Sequence, residues 1–103
     1  MIYVESKIFT KLLPDYLSDE EYRGLQNHLA LYPEAGDLIK GTGGIRKVRW
    51  AQGGKGKSGG VRVIYYWQTA EDEIYFLTLY SKGEATDLTA EQRKILKRMV
   101  ESW

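Results

Sequence analysis

The sequence predicts an α+β fold, in which N-terminal helices pack on one face of a small antiparallel β-sheet and a C-terminal helix follows the sheet. Two patterns predict this fold class. Apolar residues recur at helical spacing behind helix-capping sequences, both early in the chain and at its end. Between them lie three runs of β-branched and aromatic residues with short links, as in an antiparallel meander. We expect residues 1–103 to form a single domain, with the other face or an edge of the sheet left for a ligand.

The N-terminal part of the chain predicts one strand and two helices. Residues 2–4 form a short β-type run, and Pro14 is expected to end the helix that follows. Ser18 and Glu21 form a capping box at the start of a second helix, which Pro33 closes. The apolar residues that recur along these two helices are Ile8, Phe9, Leu12, Leu13, Tyr22, Leu25, Leu29 and Tyr32.

Three strands and a final helix are predicted in the rest of the chain. The strands cover residues 45–51, 61–67 and 74–80, with Trp50 and Trp67 expected in the core. Alternation in the first strand places Arg46, Val48 and Trp50 on one face and Ile45, Lys47, Arg49 and Ala51 on the other. Thr89 and Gln92 form a capping box for the final helix. Its apolar stripe consists of Ile95, Leu96, Met99, Val100 and Trp103.

A glycine-rich, cationic segment joins and overlaps the first two of these strands. Residues 38–70 contain no Asp or Glu, although the whole chain has a net charge of only +1. The cationic residues of the segment are Lys40, Arg46, Lys47, Arg49, Lys55, Lys57 and Arg62. Eight of the 11 glycines lie in the same segment, where they permit positive φ and the close approach of another backbone. This combination predicts a loop that binds a polyanion, and a phosphodiester chain is the physical candidate.

The composition argues against several classes of protein. The chain has no apolar run of about 18 residues and no leader-like start, so we expect neither a membrane span nor a signal peptide. It has no cysteine and a single histidine, His28, which argues against a zinc site and against a nucleophile triad. The sequence Gly56-Lys57-Ser58 resembles the end of a P-loop, but position 51 is alanine and a strand follows instead of a helix. We expect a cytoplasmic protein without metal or cofactor.

Lys, Arg and Tyr side chains support one reaction of phosphodiesters that requires no metal. They bind phosphate and stabilise the charge of a pentacovalent transition state, and a lysine whose pKa is depressed by neighbouring cations accepts or donates a proton. RNA carries its own nucleophile, the 2′-hydroxyl, which attacks the adjacent phosphate when it is deprotonated and aligned. Because DNA lacks this hydroxyl, a site of this kind favours RNA as the substrate.

Five short motifs occur in a fixed order along the chain. They are GTGGIRKVR at residues 41–49, GKGKSGG at 54–60, VRVIYY at 61–66, LTLYSKGE at 77–84 and DLT at 87–89. Together they resemble the HigB branch of the RelE superfamily, the ribosome-dependent mRNA interferase toxins of bacterial toxin–antitoxin modules. The resemblance covers most of the chain, from Ser18 to the last helix. It implies a RelE-like fold and cleavage of mRNA in the ribosomal A site by 2′-hydroxyl attack, leaving a cyclic phosphate and a free 5′-hydroxyl.

The resemblance also implies which residues form the catalytic site. By position in the motifs, these are the loop lysines Lys55 and Lys57, Arg62 in the next strand, and Tyr80 and Lys82 near the last strand. The chain departs from its relatives in having no histidine near the site and no tyrosine in its last helix. Tyr80, or else Tyr65 and Tyr66, would therefore take the tyrosine's role. Independently of the resemblance, Arg62 is either a phosphate clamp or an edge-strand charge that discourages aggregation.

The remaining cations and the partners follow from the same interpretation. We expect Arg46, Lys47 and Arg49 to form a face that binds ribosomal RNA phosphates. The implied partners are the ribosome with its mRNA and a neutralising antitoxin, expected to be a helix-turn-helix protein of the HigA type. Two alternatives remain open: a ParE-like toxin of the same fold that inhibits DNA gyrase and cuts nothing, and a non-catalytic RNA-binding domain whose binding falls with salt.

Overall fold

The computed structural model describes residues 1–50, 60–84 and 87–103. In this part of the chain the elements follow one another as β1 (Ile2–Glu5), α1 (Lys7–Tyr16), α2 (Asp19–Leu31), β2 (Asp37–Leu38), β3 (Ile45–Trp50), β4 (Val61–Gln68), β5 (Glu73–Ser81) and α3 (Ala90–Glu101). The predicted α+β fold class is confirmed. None of the helices in these described ranges is both long enough and apolar enough to cross a membrane.

The strands form one sheet in the order β1-β5-β4-β3-β2. The predicted meander is present, because β3, β4 and β5 pair antiparallel with their sequence neighbours. The sheet is nevertheless mixed, since β1 pairs with β5 in parallel. Strand β2 was not predicted; with two residues it is too short to show a periodicity.

The two N-terminal helices cover one face of this sheet. The core between them includes Phe9 and Leu25 from the helices and Val63 and Phe76 from the strands, all with 0% exposure. The rings of Phe9 and Phe76 stack with centroids 4.9 Å apart. Burial of aromatic and aliphatic side chains on this scale is the main force that fixes the helices to the sheet. Trp50 and Trp67 pack partly buried against the same core, in line with their predicted role.

Helix α1 continues past the proline that was expected to end it. Pro14 lies inside the helix, which runs to Tyr16. A proline removes one backbone hydrogen bond, but the turn after it is retained here, since the amide of Leu17 donates to Leu13 O at 3.0 Å. Leu17 is also 5% exposed, so its burial in the core favours the added turn. The capping box of α2 forms as predicted between Ser18 and Glu21.

Helix α3 packs on the opposite face of the sheet, part of the surface that we expected to remain for a ligand. Its Leu96 is 5% exposed and joins a second core with Ile45, Ile64 and Leu77. The predicted alternation in β3 is consistent with both cores, because Val48 packs toward α1 and α2 while Ile45 packs toward α3. The rest of that second face carries the charged residues of the candidate site.

Candidate functional site

A row of three polar side chains crosses the middle of the sheet. Arg62 on β4 lies opposite Arg49 on β3 and opposite Tyr80 on β5. Directly opposed residues of antiparallel strands project to the same face, so the three side chains share the α3 side of the sheet. Because β4 lies between β3 and β5, the explanation of Arg62 as an edge-strand charge is wrong.

Arg62 is held rigidly in this row. Its neighbours Val61 and Val63 are both 0% exposed and fix the strand to the core on the other face. The arginine itself is partly buried, and its Nη1 atom is buried. Burial raises the pKa of the Tyr80 hydroxyl, and the charge of Arg62 lowers it by a smaller amount. A guanidinium placed in this way is preorganised to bind an oxyanion.

Tyr80 stays protonated at neutral pH. Burial, and secondarily the charge of Asp87, raise the pKa of its hydroxyl, and the opposing effect of Arg62 is smaller. The hydroxyl oxygen is buried and forms no hydrogen bond with the part of the chain that the structure describes. A buried hydroxyl that makes no hydrogen bond destabilises the folded protein, and this cost is removed when a ligand accepts a hydrogen bond from it. Tyr80 is therefore suited to donate a hydrogen bond to a ligand, and unsuited to act as a base.

Asp87 introduces a carboxylate beside these groups. Its carboxylate lies 3.6 Å from Lys47 Nζ on β3. The backbone amide of Leu88 has the largest effect in lowering the pKa of Asp87, and Lys47 and Arg93 lower it further. The carboxylate is thus ionised at neutral pH and lies close to two cations from different elements. Sequence reasoning noted DLT only as part of a motif and gave Asp87 no role.

Lys82 lies in a turn that other side chains hold in place. Its amide donates to Gly60 O at 3.3 Å, which ties the end of β5 to the start of β4. The carboxylate of Glu84 accepts from the Ser81 amide at 2.8 Å and from the Tyr16 hydroxyl at 2.6 Å. These bonds lower the pKa of Glu84, the Ser81 amide having the largest effect. Sequence reasoning missed Glu84 and Tyr16, because their contact joins distant parts of the chain.

Other predicted residues lie elsewhere. Arg46 is on the face of α1 and α2, where its Nη1 donates to Gly36 O at 2.8 Å, so the structure separates it from Lys47 and Arg49. Tyr65 also faces that side; it is 0% exposed, and its hydroxyl donates to Pro33 O at 2.8 Å. Tyr66 packs with the α3 core instead. Of the tyrosines considered, Tyr80 alone shares the row with Arg62.

Two of the predicted catalytic residues, Lys55 and Lys57, lie outside the described residues. The site is therefore built here from Arg49, Arg62 and Tyr80, with Lys82 at the adjoining strand end. Within the described ranges, no group of three or more His, Asp or Glu side chains is arranged to hold a metal ion.

Comparison with known proteins bears on this site. A family model for the RelE toxin of the RelE/RelB toxin–antitoxin system matches residues 34–103. Among solved structures, the isolated E. coli RelE toxin is similar with a TM-score of 0.59 at 14% identity, covering 95% of this chain and 97% of that one. A mutant of E. coli RelE in the free state gives a TM-score of 0.58 at 14% identity, covering 82% and 86%. At this identity the structural likeness shows the fold, and the family match covers the strands and the helix that carry the site.

Proposed function

The chain belongs to the RelE toxin family, and from this premise we propose that it is a ribosome-dependent endoribonuclease, of the HigB branch, that cleaves mRNA in the A site. The observation that carries the proposal is the central row of Arg49, Arg62 and Tyr80, where two guanidinium groups and a protonated phenol face one side of the sheet. Such groups recognise a phosphodiester and stabilise the charge that builds up when it is attacked.

The proposed reaction takes its nucleophile, the 2′-hydroxyl, from the RNA itself. The 2′-oxygen forms a bond to the adjacent phosphorus while the bond from phosphorus to the 5′-oxygen breaks. The products are a 2′,3′-cyclic phosphate and a free 5′-hydroxyl, and one proton moves from the 2′-oxygen to the 5′-oxygen through groups of the site. We assign the charge stabilisation to Arg62, a hydrogen bond to a phosphate oxygen to Tyr80, and phosphate binding and proton transfer to Lys55, Lys57 and Lys82.

The test compares two arginine substitutions in bacteria that express the toxin from an inducible promoter. Arg62→Ala is expected to lower cleavage by roughly 10²–10³-fold, because a preorganised charge at the transition state is lost. Arg23→Ala serves as the control, since Arg23 is exposed on α2, on the other face of the sheet. Primer extension on mRNA, with chemical analysis of the 3′ ends, measures the outcome. Full growth arrest and intact cleavage by the Arg62→Ala variant would refute the assignment.

The same experiment distinguishes the alternatives. A toxin of the ParE type would leave mRNA intact and reduce the supercoiling of a reporter plasmid. An RNA-binding domain without activity would bind ribosomes, and no cyclic phosphate ends would accumulate. The cutting toxin is favoured because Arg62 and Tyr80 occupy the centre of the sheet, where a fixed geometry favours catalysis.

We also propose that a separate antitoxin neutralises the toxin, as in other toxin–antitoxin modules, and that it is a helix-turn-helix protein of the HigA type acting in the cytoplasm. The expected observation is a small gene for such a protein beside the gene for this chain. Co-expression of the encoded protein is expected to restore growth, and this protein is expected to co-purify with the toxin. Growth arrest that persists under co-expression would contradict the pairing.

A further inference from the structure

A second group of cations lies away from the central row, at the corner between the β2–β3 turn and α3. There, a shallow depression of about 430 Å³ is lined by Lys40, Gly41, Ala90, Arg93, Lys94 and Lys97. Four of these residues are cationic, and no carboxylate is among them. Neither the family resemblance nor the proposed mechanism uses this corner.

The turn that carries Lys40 has a fixed shape. Thr42 is 2% exposed, and its hydroxyl donates to Ile39 O at 2.6 Å and accepts from the Ile45 amide at 3.2 Å. Gly41 has a φ of 77°, which lets the chain turn where a larger residue would be strained. The backbone beside Lys40 is therefore held in one conformation before any ligand arrives, which reduces the entropic cost of binding.

The cations on α3 are arranged so that they repel one another. Arg93 and Lys97 are four residues apart on a helix and project on the same side, and Lys94 lies next to them. Like charges at this spacing disfavour the helix. The repulsion is relieved when an anion binds among them, so the arrangement favours an anionic ligand. Four cations from the β2–β3 turn and α3 match a ligand with several negative charges better than a ligand with a single negative charge.

The depression is linked to the candidate catalytic site by charge. Both Lys47 on β3 and Arg93 on α3 lower the pKa of Asp87, so this carboxylate lies within reach of both groups. Lys47 in turn precedes Arg49 by two residues on β3 and projects to the same face. Cations therefore extend along one side of the sheet from Arg62 through Arg49 to Lys47, and the carboxylate of Asp87 lies between Lys47 and Arg93 of the corner.

We propose that this corner is a second phosphate-binding site, which holds RNA phosphates outside the scissile bond. The choice of RNA as the polyanion rests on the proposed function, because the corner continues the surface that would hold the scissile phosphate. The phosphates belong either to the mRNA or to ribosomal RNA. In both cases the site contributes binding and not chemistry, since neither Arg62 nor Tyr80 lines it.

The test measures binding without cleavage. The variant Lys94→Glu/Lys97→Glu is compared with Lys7→Glu/Lys11→Glu, which makes the same change in net charge on exposed lysines of α1. The two probes are a single-stranded 2′-O-methyl RNA, which the proposed reaction cannot cut, and 70S ribosomes without mRNA. Affinity is measured over a range of salt concentrations, and thermal unfolding shows that both variants are folded. Lys94→Arg/Lys97→Arg is included as a variant that keeps the charge.

The α3 variant is expected to bind roughly tenfold more weakly at moderate salt, and its slope of log affinity against log salt is expected to fall by about 2, one unit for each lost phosphate contact. The α1 control and the arginine variant are expected to bind like the wild type. Weaker binding to the oligonucleotide assigns the site to mRNA, and weaker binding to ribosomes assigns it to ribosomal RNA. Equal binding by the α3 variant and the α1 control to both probes would overturn the proposal. Because no arm requires cleavage, this result is independent of whether the chain is a nuclease.

Discussion

The chemistry available at the site depends on the protonation states of single side chains. Tyr80 is kept protonated by burial and by Asp87, in spite of the nearby Arg62. A tyrosine of this kind donates a hydrogen bond to a phosphate oxygen, and the proton of the attacking hydroxyl must be accepted by another group. We assign that step to a lysine of the site whose amine is held in the neutral form by neighbouring cations, and charge stabilisation to Arg62 and Tyr80.

Removal of the Tyr80 hydroxyl tests this division of roles. The Tyr80→Phe variant is expected to cleave mRNA roughly 10²-fold more slowly on the ribosome, because one hydrogen bond to the transition state is lost. Its stability is expected to be unchanged or slightly raised, since the buried hydroxyl has no partner among the described residues. Single-turnover cleavage and ribosome pelleting measure rate and binding separately. Tyr75→Phe is the control, because the Tyr75 hydroxyl bonds to Glu73 outside the row. A loss of binding equal to the loss of rate would contradict the assigned role.

The contact between Tyr16 and Glu84 predicts a pH dependence of stability. The hydrogen bond to Glu84 is the main cause that raises the pKa of Tyr16 to about 12. Because the pKa of Tyr16 is raised, the stability that this contact contributes is fully present below pH 10, the ordinary pKa of tyrosine. It is lost as the pH rises through about 12. Urea unfolding of Tyr16→Phe is therefore expected to show a small deficit against the wild type at pH 9, which disappears toward pH 12. A deficit that grows with pH would show that this sign is wrong.

Gly36, which immediately precedes β2, packs closely against Tyr65 of β4 and the backbone of β3. The amide of Gly36 donates to the Tyr65 hydroxyl at 2.9 Å. A Cβ added at Gly36 would lie 2.8 Å from Tyr65 Cε1 and 3.0 Å from Lys47 O. These distances leave no room for a side chain, and one of the two neighbours is backbone of β3, the strand that carries Lys47 and Arg49.

The variant Gly36→Ala is expected to destabilise the protein by about 1–3 kcal/mol, because the added methyl group forces the strands or Tyr65 to shift. Gly83→Ala is a matched control, since a Cβ there meets nothing within 4 Å. Chemical denaturation of both variants measures the difference. Equal stability of the two would mean that the chain near Gly36 adjusts without cost.

Local signals in the sequence were sufficient for much of the fold. The capping boxes at Ser18 and Thr89 correctly mark the starts of α2 and α3, because a cap involves residues only three positions apart. Alternation in β3 correctly separates its two faces. Two features depend on contacts between distant parts of the chain, and no local pattern encodes them. They are the parallel pairing of β1 with β5 and the packing of α3 on the second face of the sheet.

The candidate site likewise combines residues that local sequence patterns indicate with residues that only distant contacts bring together. A cation within a hydrophobic strand is the signal that selects Arg62 as a candidate, and the strand register places Tyr80 beside it. Arg46 was grouped with Lys47 and Arg49 by charge, although alternation places it on the other face, where it bonds to Gly36 O. The contact of Asp87 with Lys47 could not be identified from sequence, because it joins distant parts of the chain.

For the molecule as a whole, the sheet has two different faces. Helices α1 and α2 cover one face and anchor the strands, while α3 covers only part of the other. The central row lies on this second face, and α3, which packs on the same face, carries three of the four cations of the proposed corner site. Among the described residues, the proposed activity therefore belongs to a surface built from several strands and α3.

In the proposed mechanism, the 2′-hydroxyl of the mRNA is the nucleophile and the protein supplies binding, orientation and charge. The most direct test uses ribosome complexes programmed with an mRNA that carries a single 2′-deoxynucleotide at the cleaved position of the A-site codon. We predict that the wild-type toxin binds these complexes normally and makes no cut at the substituted nucleotide, while the unmodified mRNA is cut. Cleavage of both messages at equal rates would contradict the account.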